Sequence, residues 1–227
     1  MALLSATCSK PLATSSILLL LIVCQVFGQS LQPRSDEDRA AEMKRRVIET
    51  LNLHPGDTAA EVGCGDGFYT IPLARFLGPS GKVLAEDISA SELIKLKEHL
   101  GKEGLQNVEV IKGDKDDPKL PANRLDAALI VNAYHEMTEH EAMLRHVLTA
   151  LKPGGTFILM EGIWDSRQAQ SRDEQIKHHQ LAPAVARREV ESAGFEIVEL
   201  RDPFIERPPD EDGKSRWWVL VARKPMR

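Results

Sequence analysis

Apolar positions along the chain fall into two patterns that take turns. Short runs at 59–62, 82–88, 108–111, 125–131 and 156–161 are too brief for helices and read as strands. The run at 125–131 is apolar throughout once past Asp126, as a central parallel strand covered on both faces should be. Between these runs the apolar residues recur at helical spacing. Ala40, Met43, Val47, Ile48 and Leu51 predict a helix over 36–53, lying against the sheet or over a ligand. Further helices are predicted over 68–77, 89–102, 138–151, 174–181 and 183–193. Ser89 or Ser91 can cap the second of these, and Thr138 with Glu141 has the spacing of a capping box. Strands alternating with helices predict an α/β fold around a mostly parallel sheet. Two last runs, 195–200 and 217–222, are joined by a proline-rich acidic loop at 208–213 and suit an antiparallel hairpin at the sheet edge.

The strand at 59–62 runs into Glu61-Val62-Gly63-Cys64-Gly65-Asp66-Gly67, with glycines at alternate positions before the next helix. Glycine admits positive φ and removes the Cβ atoms that keep a ligand off the main chain, so a nucleoside-sized molecule can lie against this loop. The following strand ends in Glu86-Asp87, roughly 20 residues on, where a carboxylate can accept hydrogen bonds from ribose hydroxyls. Asp87 is the expected partner, with Glu86 as the alternative. The loop departs from the G-x-G-x-x-G of dinucleotide sites, and no helix start is set up to hold a pyrophosphate.

Strand ends farther along carry the remaining polar candidates. The third strand ends in Lys112-Gly113-Asp114, where Asp114 is either a ligand contact or part of a solvated charged loop with Lys115, Asp116 and Asp117. The fourth ends in Asn132-Ala133-Tyr134-His135-Glu136-Met137, the most chemically loaded segment, and ligands in open α/β sheets gather at such ends. An imidazole titrates near neutrality, so His135 is the candidate base; its other reading is a histidine packed under a ligand or hydrogen-bonded to a backbone carbonyl. Tyr134 lines the reactive pocket or serves as an aromatic wall. His178 and His179 form a second polar cluster. Glu174 and His178 share a helix face, yet two ligands on one helix without a third predict no metal site.

Taken together, Glu61 to Gly67, the acidic strand end at Asp87, Lys112-Gly113-Asp114 and Leu151-Lys152-Pro153-Gly154-Gly155 resemble the class I S-adenosylmethionine-dependent methyltransferase family over residues 39–224. The resemblance implies a Rossmann-like, seven-stranded, mostly parallel sheet with an antiparallel C-terminal strand and helices on both faces. It implies S-adenosyl-L-methionine as cofactor, held by Gly63, Cys64, Gly65 and Gly67. Glu61 supports its methionine end, Asp87 with Ile88 its ribose side and Asp114 its adenine, with Asn132 completing the set. The catalytic candidates are then His135 and Tyr134, and the substrate-binding ones His178 and His179. Because the sulfonium already activates the methyl group, a base is needed only when the acceptor is protonated. A nicotinamide-dependent oxidoreductase and a non-catalytic S-adenosylmethionine-binding protein are the alternatives.

Composition alters this picture at two points. A net charge of −5 gives no basic footprint, so the expected substrate is a small molecule and no nucleic acid is expected. Lys10 followed by the apolar run 17–27 and Gly28 reads as a signal peptide over 1–28, cleaved before Gln29, or as an uncleaved anchor. The chain is accordingly expected to be secreted or periplasmic, with membrane contact only if that segment is retained. A linker at 29–38 and one domain at 39–227 follow. Cys8 and Cys24 fall in the leader, leaving Cys64 alone and without a disulfide partner; it reads as a small apolar residue under the ligand. The sequence carries no sign of oligomeric state.

Overall fold

The computed structural model describes residues 35–206 and 215–226. The leader, most of the linker and the 208–213 loop lie outside the described residues. The chain divides into two compact units, Met1–Ala41 and Glu42–Arg227. In the first, Ser35 Oγ accepts from the Asp38 amide at 3.0 Å and Arg39 pairs with Asp36. The second holds the sheet.

The elements in chain order are α1 (Asp36–Thr50), β1 (Thr58–Val62), α2 (Thr70–Leu77), β2 (Lys82–Asp87), α3 (Ala90–Glu103), β3 (Val108–Lys112) and β4 (Leu125–Val131). A 3-10 turn (Tyr134–Glu136) leads to α4 (His140–Ala150), β5 (Leu151–Trp164), α5 (Arg172–Ile176), α6 (Pro183–Ser192), β6 (Glu196–Glu206) and β7 (Ser215–Arg223). All seven strands join one sheet in the order β3-β2-β1-β4-β5-β7-β6. β1 to β5 are parallel, and β7 runs antiparallel between β5 and β6. The Rossmann-like expectation and the antiparallel C-terminal hairpin are both present, with β7 alone of the seven strands reversed.

Alternation along the strands builds the core. Ala128 and Ile130 of β4 pack in one cluster with Ala60, Leu159 and Leu220. Their neighbours Ala127 and Leu129 pack in another with Ala59, Ile158 and Val219, so each strand feeds both faces with a period of two. Val47, Ile48 and Leu51 at the end of α1 and beyond join the second cluster, which seats that part of the helix on the sheet. The fully buried Trp218 of β7 sits in the first, and its indole N–H donates to Leu181 O at 2.8 Å.

Two boundaries differ from the sequence reading, and one of its alternatives is decided. α4 starts at His140 with Glu139 as N-cap and no side-chain cap, because Met137 is extended and leaves Thr138 outside the helix. Ser89 rather than Ser91 caps α3, accepting from Glu92 N at 3.4 Å. The expected helix at 174–181 stops at Ile176. Gln175 is buried there, its amide donates to the carbonyls of Arg167 and Gln170, and its Oε1 accepts from Ala182 N at 2.7 Å. One side chain thus ties three backbone segments and turns the chain.

Candidate active site

The sheet order reverses between β1 and β4, and the crevice outside the strand C-termini at such a point is where open α/β sheets bind ligands. The glycine loop fills it from the β1 side. Gly63, Gly65 and Gly67 have φ of +74°, +53° and +100°. A Cβ at Gly63 would stand 2.6 Å from Ala133 Cβ, and one at Gly67 2.5 Å from Leu96 Cδ1, so protein packing forbids side chains there. At Gly65 a Cβ would meet nothing within 4 Å. That glycine faces open space, as the position beneath a ligand should.

The end of β2 is clipped to this loop. The amides of Gly63 and Cys64 both donate to Glu86 O at 2.9 Å. Gly65 N donates to Asp87 Oδ2 at 2.8 Å and Ser89 N to Asp87 Oδ1 at 2.7 Å. A carboxylate has about four acceptor sites, so two remain on Asp87 for a ligand. Glu86 is buried, its Oε1 has no hydrogen-bond partner, and burial and then the neighbouring Asp87 charge push its pKa up to about 8. Gly113 makes room for it, since a Cβ there would lie 1.9 Å from Glu86 Oε1. Glu61 is buried as well; burial raises its pKa to about 8 against the opposing hydrogen bond from the Thr70 hydroxyl. Cys64 is buried, and desolvation pushes its thiol far up, so it is inert.

At the ends of β4 and β5 a second group assembles. Asn132 takes φ of +53°, its amide donates to Met160 O at 2.8 Å, and the turn behind it presents His135 and Glu136. Glu161 lies next along β5. Its carboxylate, with 0% side-chain exposure, meets His135 Nδ1 at 2.8 Å and accepts from the His135 amide at 3.2 Å. Burial opposes charge on His135, but the Glu161 hydrogen bond and the Glu161 and Glu136 charges outweigh it and hold its pKa above the ordinary value. His135 Nε2 stands 3.7 Å from Glu136 Oε1, and His179 Nδ1 stands 3.6 Å from the same oxygen.

A cavity of about 290 Å³ joins these pieces, lined among others by Gly63, Gly65, Asp87, Ile88 and Asn132. Five of the expected cofactor residues therefore share one wall. Ile88 leaves 50% of its surface exposed there, an apolar platform beside the acids. Glu61, Cys64, Gly67 and His135 do not reach the lining. Asp114 lies outside the lining in an ion pair with Lys119 at 2.8 Å, whose hydrogen bond lowers its pKa; Lys115 takes a place on the wall instead. Tyr134 is wholly buried, and its hydroxyl donates to Glu189 Oε2 at 2.9 Å, turned toward α6. Of the two histidines after α5, His179 joins His135 with ring centroids 5.4 Å apart, whereas Glu174 pairs with Lys177. Sequence reasoning placed Met137 in the loaded segment after β4, read Thr138 as a cap and Lys115 as part of a solvated loop, and did not single out Glu161. A lone acid closing the apolar run 157–160 was the available signal for Glu161. A larger cleft, about 940 Å³, opens at the other end of the sheet beside Lys82 and Asn107, away from every one of these residues.

Comparison with known proteins agrees with this layout. Residues 59–155 match the family model described as "Methyltransferase domain". A ubiquinone/menaquinone biosynthesis C-methyltransferase, UbiE of Ectopseudomonas mendocina (strain ymp), is 32% identical over 119 residues, covering 52% of this chain and 46% of the relative. The chain thus spans about half the length of the curated relatives it matches. Among solved structures, the [4+2]-cyclase SpnF superposes with TM-score 0.71 at 21% identity, over 86% of this chain and 85% of its own. A SAM dependent methyltransferase from Aquifex aeolicus gives 0.65 at 20% identity, over 84% and 100%. At such identities the structures speak for the fold, and the matched sequence region for the family. Residues 59–155 are thus a methyltransferase domain by sequence, set in the seven-stranded Rossmann-like fold that solved S-adenosylmethionine-dependent methyltransferases share.

Proposed function

We propose that the protein transfers a methyl group from S-adenosylmethionine to a small-molecule acceptor, with the donor lying along the wall from Gly65 to Asn132. The carrying observation is the open space over Gly65, flanked by the spare acceptor sites of Asp87, with Glu86 on the same cavity wall. These groups suit the hydroxyls of a ribose, and Ile88 suits an apolar ring face. The bound donor supplies a methyl group already activated on a sulfonium. The chain's own task is to hold donor and acceptor in line and keep water out. Glu136, Met137 and Thr138 line the far side of the cavity, which is the side left for the acceptor. A hydroxyl acceptor must also lose its proton, and the His135–Glu161 pair behind Glu136 is the basic group placed next to that side. The small acceptor is supported by the acidic net charge and by the quinone-pathway name of the UbiE relative. We propose too that the leader exports the chain, a reading supported by Lys10 and the apolar run 17–27 and tested by N-terminal sequencing of protein from the extracytoplasmic fraction.

Calorimetric titration with S-adenosylmethionine and S-adenosylhomocysteine tests the donor assignment, with NAD as control and Asp87→Ala as second protein. Micromolar binding of both sulfur compounds, weakened at least tenfold by the substitution and absent for NAD, is the expected result. Absence of binding by either sulfur compound overturns the assignment.

A further inference from the structure

We propose that His135, Glu136 and His179 form a binding site for a first-row divalent transition-metal ion such as Zn²⁺, with Glu161 orienting His135 from behind. The ligand atoms of the three residues all lie within 4.8 Å of one another. Two of the separations are 3.7 Å, His135 Nε2 to Glu136 Oε1, and 3.6 Å, His179 Nδ1 to the same oxygen. Ligands about 2.0–2.1 Å from a tetrahedral ion stand about 3.3 Å apart, so closing on an ion requires side-chain shifts of well under a residue's length.

The independent observation is the state of His135. Its side chain is only 2% exposed, its Nδ1 is committed to the wholly buried Glu161, and its Nε2 makes no hydrogen bond among the described residues. A carboxylate on one ring nitrogen fixes the tautomer that leaves the other with its lone pair outward; metal-bound histidines carry such a partner almost without exception. His179 arrives from another element. It adopts φ of +54° just after α5, and its ring meets that of His135 edge-on. Glu136 and His179 are 66% and 75% exposed, which gives an ion its entry path.

Two imidazoles and one carboxylate favour zinc and its first-row neighbours over magnesium or calcium, which prefer all-oxygen shells. Three protein ligands also leave a coordination position open, Glu136 lines the cavity, and an ion on Nε2 takes up the lone pair that His135 offers as a base only in the metal-free protein. The expectation of no metal, drawn from Glu174 and His178 on one helix, considered a different pair: α5 ends before His178, and the turn that follows carries His179 to the β4 end instead.

The test is titration of the purified full chain, stripped with chelator, with ZnCl₂ alone. Calorimetry and metal analysis after dialysis read the stoichiometry, and cobalt substitution reads the ligand geometry from visible absorption. One equivalent bound at low-micromolar affinity or tighter is expected. His179→Ala and Glu136→Gln should each weaken it by roughly a hundredfold, and Glu161→Gln by roughly tenfold to a hundredfold. His178→Ala should bind as the unaltered protein does. Each variant's melting curve confirms folding, and donor binding is not needed for the readout, so failure here leaves the methyltransferase reading standing. No zinc binding at concentrations up to about 10⁻⁴ M overturns the proposal. So does binding that survives both His179→Ala and Glu136→Gln in folded protein, because the ion then sits elsewhere.

Discussion

The three glycines of the β1 loop separate into two kinds once their surroundings are known. Gly63 and Gly67 are confined by protein atoms, and Gly65 is not. Gly63→Ala brings a positive-φ penalty of about 1–2 kcal/mol and a contact with Ala133 that overpacks the loop for a further 1–3 kcal/mol or so, so the melting temperature should fall clearly. Gly65→Ala carries only the backbone penalty and should melt between the parent and Gly63→Ala, yet lose donor affinity by tenfold or more in calorimetry, since its methyl group enters the ligand's space. Equal losses of stability in the two variants would contradict this division. The buried acids give a second prediction. Glu61 and Glu86 both have folded-state pKa values of about 8, above the unfolded value, so the folded chain keeps protons that the unfolded chain releases. Their contribution to stability is complete at low pH and is lost as pH rises from about 5 to about 8, with a slope of up to about 1.4 kcal/mol per pH unit for each group. Melting temperature measured on donor-free protein should decline across that window, and Glu86→Gln should flatten the decline; a flat parent profile would contradict it.

Among the elements, the turn after β4 shows where the sequence was legible and where it was not. Period-two and helical patterns located the seven strands and most of the helices because burial on a sheet face imposes those periods locally. The clip between the glycine loop and Asp87 was legible for the same reason, since loop and strand end are fixed by adjacent parallel strands. What Tyr134 and His135 face depends on residues far along the chain, and no local pattern encodes that. Tyr134 meets Glu189 of α6, and His135 meets Glu161 of β5 and His179 beyond α5. Tyr134→Phe should therefore lower stability by about 1.5–3 kcal/mol, the range for a hydrogen bond to a charged group, and leave donor affinity unchanged. Calorimetry beside a thermal melt reads both. A tenfold loss of donor binding with an unchanged melt would restore Tyr134 to the site. Asp114 shows the converse: its spacing fitted the family pattern, but a neighbouring lysine holds it in solvent while Gly113 beside it makes room for Glu86.

For the whole molecule, the two ends of the sheet present clefts of different character. The larger, beside Lys82 and Asn107, holds none of the site residues; the smaller holds the loop, the acids and the β4 end. Hydrogen exchange with and without S-adenosylhomocysteine should protect 63–67, 87–89 and 132–138, and leave 78–82 and 104–109 unchanged; the reverse pattern would move the site to the other edge. The hydrogen bonds from Gly63, Cys64 and Gly65 to the end of β2 bear on how such experiments add up. Asp87 is at once a candidate ligand contact and the peg that holds Gly65 in place, so removing it also loosens the loop. Its measured loss will overstate the ligand contact itself. A double-mutant cycle between Gly65→Ala and Asp87→Ala should show donor-binding losses that fall short of their sum by about 1 kcal/mol or more, the mark of two residues acting as one mechanical unit.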